Sequence, residues 1–148
     1  MTSIKLRRLA HAHDLPLPSR QTEHSAGFDL RAAIENEIEL APGQIQLVET
    51  GFEMEIPPGF EVQIRARSGL AVKHGITLIN AVGTIDADYR GELKIPLINH
   101  GPVSHTIHRG DRIAQLILMK LPDSEVIEVE SLTETTRGGG GFGHTGRR

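Results

Sequence analysis

Five short segments bring together residue types that handle phosphates, flat rings and water. Ala26-Gly27-Phe28-Asp29-Leu30-Arg31-Ala32-Ala33 carries one carboxylate, Asp29, which by itself reads as a solvated acid or a turn former. Arg67-Ser68-Gly69-Leu70-Ala71 has the makings of a phosphate cradle at a strand-to-helix junction. Arg supplies a charged fork, Ser a hydroxyl, and Gly lets backbone N–H groups approach an oxygen. A plain helix start with Ser68 as N-cap fits the same residues. The third segment runs from Asn80 to Gly91 and holds Asp86, Asp88 and Tyr89. Its two acids could bind a metal, act as a general base with a helper, or shape a hairpin turn. Tyr89 is the single Tyr of the chain, and its place in a polar turn hints at stacking or hydrogen bonding. In the fourth segment, Gly110 to Leu118, Gln115 interrupts an apolar strand. An unpaired buried amide costs about 1–3 kcal/mol, so Gln115 either sits on the outer face or meets a polar ligand. The fifth, Thr135 to Arg148, is a Gly-rich run with Arg137, Arg147 and Arg148, no acid, and Phe142 as its one large apolar side chain. Alone it reads as a disordered tail, or as an arm that orders over an anionic ligand, with Phe142 stacking on a flat ring.

The elements that must position these residues are short strands. Helical periodicity is nearly absent, and alternating or β-branched runs are cut by Gly and Pro. Strands are expected from Ile4, over Glu37 to Leu40, Ile45 to Thr50, Phe52 to Ile56, Phe60 to Ile64, Ile76 to Ile79, Leu93 to Ile98, His105 to His108 and Ile113 to Met119. Gly51 is read as a break between two strands, and Pro57-Pro58-Gly59 as a turn. One short helix is expected around Leu70 to Lys73. Many short strands with regular turns argue for an all-β sandwich or jelly roll.

The bulk numbers set limits. With 148 residues the chain fits one domain that can bury a real core. Aromatics make up only 3%, so Ile, Leu, Val and Ala must build that core. Cys is absent, which excludes disulfides, thiolate nucleophiles and zinc–thiolate sites and allows a reducing compartment. A net charge of -3 argues against nucleic-acid binding. No apolar run approaches the roughly 20 residues of a bilayer span, and the N-terminus has no apolar stretch of a secretory signal. A cytoplasmic protein without membrane contact is therefore expected.

In their order and spacing the five segments resemble the five motifs of the trimeric dUTPase family, the deoxyuridine 5'-triphosphate nucleotidohydrolases. The resemblance runs from about Ala26 to the end, and GTIDADYRG and RGGGGFGHTG are its most diagnostic stretches. It implies a jelly-roll or β-clip-like domain over residues 1–134, a flexible C-terminal active-site arm over 135–148, and a homotrimer with sites at subunit interfaces. The implied reaction is hydrolysis of dUTP to dUMP and pyrophosphate by water attack on the α-phosphorus, with Mg²⁺ bound mainly through phosphates and water. Such an enzyme limits uracil in DNA and supplies dUMP for thymidylate synthesis. Asp86 would be the general base and Asp29 would support the catalytic arrangement. Asn80 would bond the uracil edge, and Tyr89 would lie under the deoxyribose and exclude a 2′-hydroxyl. Arg67, Ser68, Gly69 and Gln115 resemble the phosphate ligands. In the arm, Phe142 would stack on uracil, Arg137, His144, Thr145 and Gly146 would hold the γ-phosphate end, and Gly143 would also contact the substrate. Many relatives have Ser where this chain has His144.

Two rival readings meet specific residues. A dCTP deaminase of similar fold would carry a catalytic Glu ten residues after the position of Asp86, where this chain has Pro96. A non-catalytic binding protein on the scaffold would be expected to lack Asp86, Tyr89 or the tail, and all are present.

Overall fold

The structure is a computed structural model that describes residues 2–141. Its strands are β1 (Lys5–Arg8), β2 (Phe28–Arg31), β3 (Ile38–Leu40), β4 (Ile45–Glu55), β5 (Phe60–Arg65), β6 (Ile76–Leu78), β7 (Gly83–Ile85), β8 (Glu92–Asn99), β9 (His105–Ile107) and β10 (Arg112–Lys120). A single α-helix among the described residues, α1 (Ser68–His74), and a 3₁₀ turn at Ala10–Ala12 complete the order. The strands form two four-stranded sheets, β1-β4-β8-β6 and β2-β10-β5-β7, and a two-stranded ribbon β3-β9. Every pairing is antiparallel, as hairpins and short crossovers allow.

The core lies between the two large sheets. Val48, Met54, Leu93, Ile95 and Leu97 come from one, and Leu30, Val62, Ile64 and Leu116 from the other. They are aliphatic, as the scarcity of aromatics requires, and each fully buried one contributes about 1.5–3 kcal/mol. Side chains alternate along a strand, so the same pattern that buries Val62 and Ile64 turns Gln63 and Arg65 outward. Two buried polar residues tie neighbouring segments together. The Thr50 hydroxyl donates to Leu93 O at 2.6 Å. The Asn99 amide donates to Leu40 O and Val103 O, both at 2.8 Å, and accepts the Gly101 N–H at 2.7 Å.

Three local expectations change. Gly51 does not separate two strands: β4 is a continuous strand of 11 residues. Gly51 takes φ 73°, and the pairing with β8 shifts between Glu49 and Glu53. That combination is a β-bulge, which bends the strand and lets it continue. Its glycine also makes room for the 3₁₀ turn, because a Cβ there would collide with Ala12. Strands β2 and β7 were not foreseen as strands, and α1 is longer than expected, with Arg67 rather than Ser68 at its N-cap and no side-chain cap bond. The Pro57-Pro58-Gly59 turn is present, closed by the Phe60 N–H to Pro57 O at 3.2 Å with Gly59 at φ 79°.

Beyond Lys120 the backbone has no further strand among the described residues, and Val126, Ile127, Val129 and Leu132 are exposed. No helix among the described residues is long and apolar enough to cross a membrane.

Candidate active site

Register places the first cluster. Strand β10 runs between β2 and β5, and Gln115 faces Asp29 on one side and Arg65 on the other. Two residues past Arg65, Arg67 leads into α1 and turns back over β10. Asp29 is then caught between two guanidiniums: Oδ1 lies 3.4 Å from Arg67 Nε and Oδ2 3.1 Å from Arg112 Nη1. Its side chain is only 12% exposed, so the pair is poorly screened by solvent. Arg67 also donates to Arg112 O at 3.2 Å, and Arg112 donates to Gln21 Oε1 at 2.9 Å. Arg112 and Gln21 were not singled out from sequence. Arg112 lies inside the fourth segment, but only the β2–β10 register shows that it meets Asp29.

Gln115 is held in the same place. Its Nε2 donates to Ala66 O at 3.0 Å. Gly27 is the reason the side chain fits, because a Cβ at Gly27 would overlap Gln115 Oε1. Ser68 and Gly69 open α1, are exposed, and have open space above Gly69. Under Arg67 and Arg112 is a cavity of about 290 Å³ whose lining includes His105 and Asp111. Burial and the neighbouring His74 push the His105 imidazole below its ordinary pKa. The ring centroids of His74 and His105 are 4.6 Å apart.

The second cluster sits on the turn between β7 and β8. The Tyr89 N–H donates to Asp86 O at 3.2 Å, which closes the turn, and Arg90 donates to Ala87 O and Tyr89 O at 2.7 and 2.9 Å. Asp86, Asp88 and Asn80 are exposed, with Asn80 lying near Gly83. Tyr89 is 43% exposed.

Within one chain the two clusters are apart. Strand β7 pairs with β5 as Ile64↔Gly83 and Val62↔Ile85, so Asp86 falls level with Glu61. Arg67 is six residues further along β5 and its continuation, roughly 20 Å at the strand rise. Asp29, Arg67, Ser68, Gly69 and Gln115 gather at one end of the sheet, while Asp86 and Tyr89 stand toward the other. Arg137 is exposed and donates to Gly140 O at 2.8 Å. Phe142, Gly143, His144, Thr145 and Gly146 lie outside the described residues.

One group of potential metal ligands stands on the other sheet. His11 Nε2 is 2.9 Å from Glu92 Oε1 and 3.9 Å from Glu49 Oε2. The Lys94 ammonium already pairs with both carboxylates, 2.8 Å from Glu49 and 3.7 Å from Glu92. Hydrogen bonding to Lys94 holds the Glu49 carboxyl below its ordinary pKa.

These features define an all-antiparallel β-sandwich with an arginine-rich cluster at one sheet end and a carboxylate turn toward the other. The family model described as dUTPase matches residues 13–146. The deoxyuridine 5'-triphosphate nucleotidohydrolase of Caldanaerobacter subterraneus subsp. tengcongensis is 50% identical over 143 residues, 97% of either chain. The solved Staphylococcus bacteriophage 80alpha dUTPase with dUPNHPP superposes with a TM-score of 0.86 at 25% identity, covering 99% of both chains. A variant of the dUTPase of S. aureus phage phi11, solved with a structural Mg(II) ion, has the same fold, with a TM-score of 0.76 at 23% identity over 87% of this chain and 97% of its own. The chain belongs to the dUTPase family.

Proposed function

We propose that the protein hydrolyses dUTP to dUMP and pyrophosphate, and that it does so as a homotrimer with sites between subunits. The observation that carries this reading is the split of the motif residues. Asp86 and the Arg67 cluster stand toward opposite ends of one sheet, their backbones roughly 20 Å apart at the strand rise, so neither end alone gathers both the base and the phosphate ligands. A second copy brings the two ends together, and closed symmetry repeats the arrangement.

In that site the residues divide by chemistry. Arg67, the start of α1 at Ser68 and Gly69, and Gln115 bind the phosphates. Asp29 holds Arg67 and Arg112 in orientation through its two ion pairs. Asn80 bonds the uracil edge together with backbone groups of its hairpin. Tyr89 lies under the deoxyribose and leaves no room for a 2′-hydroxyl. Asp86 takes the proton of the water that attacks the α-phosphorus, as a carboxylate within hydrogen-bond reach can. Arg137 and the arm residues Phe142, Gly143, His144, Thr145 and Gly146 cover the nucleotide and exclude bulk water.

The donor set fits Mg²⁺ carried by the substrate. Asp29 is already neutralised by two guanidiniums, and the one three-ligand group among the described residues is on the other sheet beside Lys94. A cation arriving on the phosphates keeps its own waters and needs no protein cage. When bound, it neutralises phosphate charge and fixes one phosphate conformer.

Asp86→Asn tests the assignment of the base. Binding of a non-hydrolysable dUTP analogue is expected to persist while kcat falls about 10²–10⁴-fold. Retained turnover would assign the base elsewhere.

A further inference from the structure

The ring of Tyr89 is held by a space as much as by a bond. Its hydroxyl donates to Glu92 O at 3.0 Å. Glu92 is itself anchored, because its Oε1 accepts the Gly51 N–H at 2.9 Å and meets His11 Nε2 at 2.9 Å. Between Tyr89 and Glu92 lies Gly91, and the ring folds back over it. A Cβ at Gly91 would stand 2.5 Å from the Tyr89 hydroxyl, 2.7 Å from Cζ and 3.1 Å from Cε2. Ordinary contact is about 3.5–4.0 Å, so any side chain there drives the ring away by about 1 Å or more.

The displacement need not disturb the fold. Gly91 lacks the left-handed φ that marks six other glycines among the described residues, so an alanine fits its backbone. Tyr89 is 43% exposed. It borders a cavity of about 330 Å³ lined by Leu47, Ile85, Glu92, Leu93 and Lys94, so the ring has somewhere to go. The collision therefore falls on the position of the ring and spares the core.

We propose that Gly91 is a positioning residue for sugar selection. Its missing Cβ lets Tyr89 lie folded over the hairpin, and that pose sets whether the site admits a 2′-deoxyribose or a ribose. The inference rests on the reading of Tyr89 as the platform under the sugar. A shift of about 1 Å in such a platform is enough to cost on the order of 10²-fold in rate.

The test compares Gly91→Ala, Tyr89→Ala and the double variant in the full-length protein. Two readouts are used: the ratio of kcat/KM for dUTP over UTP, and quenching of tyrosine fluorescence by a non-hydrolysable dUTP analogue. Tyr89 is the single Tyr and there is no Trp, so the emission reports this ring alone. Gly91→Ala is expected to narrow the dUTP/UTP ratio at least tenfold, with an unshifted urea midpoint and weaker quenching. In the Tyr89→Ala background it is expected to change the ratio no further. If Tyr89→Ala narrows the ratio and Gly91→Ala leaves it as in the wild type, the role of Gly91 is refuted and that of Tyr89 stands. If Tyr89→Ala itself leaves the ratio unchanged, the platform reading has failed and the inference falls with it. Should Gly91→Ala alone not fold, the double variant is expected to fold, because the colliding ring is gone. An unfolded double variant would overturn the steric argument.

Discussion

Replacing Asp29 by Asn keeps the size of the side chain and removes the charge that two arginines share. The consequence can be scaled from exposure. Solvent-exposed pairs are worth at most about 1 kcal/mol, and breaking a buried one costs about 3–5 kcal/mol. Here the carboxylate is 12% exposed, while Arg67 and Arg112 are 25% and 37% exposed. Screening on the arginine side puts the loss between those limits, at about 1–3 kcal/mol. The assay is urea unfolding at equal protomer concentration, since assembly adds to apparent stability. Pyrophosphate release from dUTP is measured alongside. If Asp29 acts by orienting Arg67 and Arg112, kcat/KM falls by a comparable free energy, about 5- to 150-fold. An unchanged urea midpoint would refute the claim that the pair holds the cluster. A normal midpoint with turnover abolished would place Asp29 in the chemistry and not in positioning.

Other consequences concern the frame and its charges. Asn99→Ala removes three hydrogen bonds that join β8 to Leu40, Gly101 and Val103, and should cost about 3 kcal/mol in urea unfolding; a loss below about 1 kcal/mol would contradict that role. Gly51→Ala must adopt a left-handed φ and displace Ala12, for an expected loss of about 2–4 kcal/mol, and a neutral result would show that the bulge relaxes freely. Stability should also fall with acid in two stages. Below about pH 6.5 the unfolded chain protonates His105 before the folded one does, because burial and His74 lower the folded pKa, so folding loses free energy there. Below the ordinary carboxylate range the lowered carboxyls of Glu49 and Asp14, the latter held at about 2 by Arg109, add a second loss that is complete only near pH 2. Thermal melts from pH 8 to pH 2 check both stages, and a curve flat between pH 7 and pH 5 would remove His105 from the account.

The sandwich was legible because burial on one face imposes alternation. Phe60 to Ile64 reads as β5 from the sequence alone, and Ile113 to Met119 lies within β10. What escaped detection depends on partners. Gly51 breaks a strand by propensity, yet a bulge needs that same positive φ, and only the partner strand β8 decides between them. Strand β7 has three residues beginning with a glycine, too short for a period to show. The Arg67–Asp29–Arg112 cluster pairs Asp29 with residues 38 and 83 positions away, a proximity that exists only through register. The placement of Asp86 and Arg67 at opposite ends of β5 is likewise a property of pairing that no spacing along the chain reveals.

Pyrophosphate release from dUTP with Mg²⁺, measured beside dCTP, dTTP and UTP, tests the central claim most directly. Release from dUTP with the other three near background is the expected result. A folded protein that releases pyrophosphate from none of them, or from all alike, would contradict the assignment.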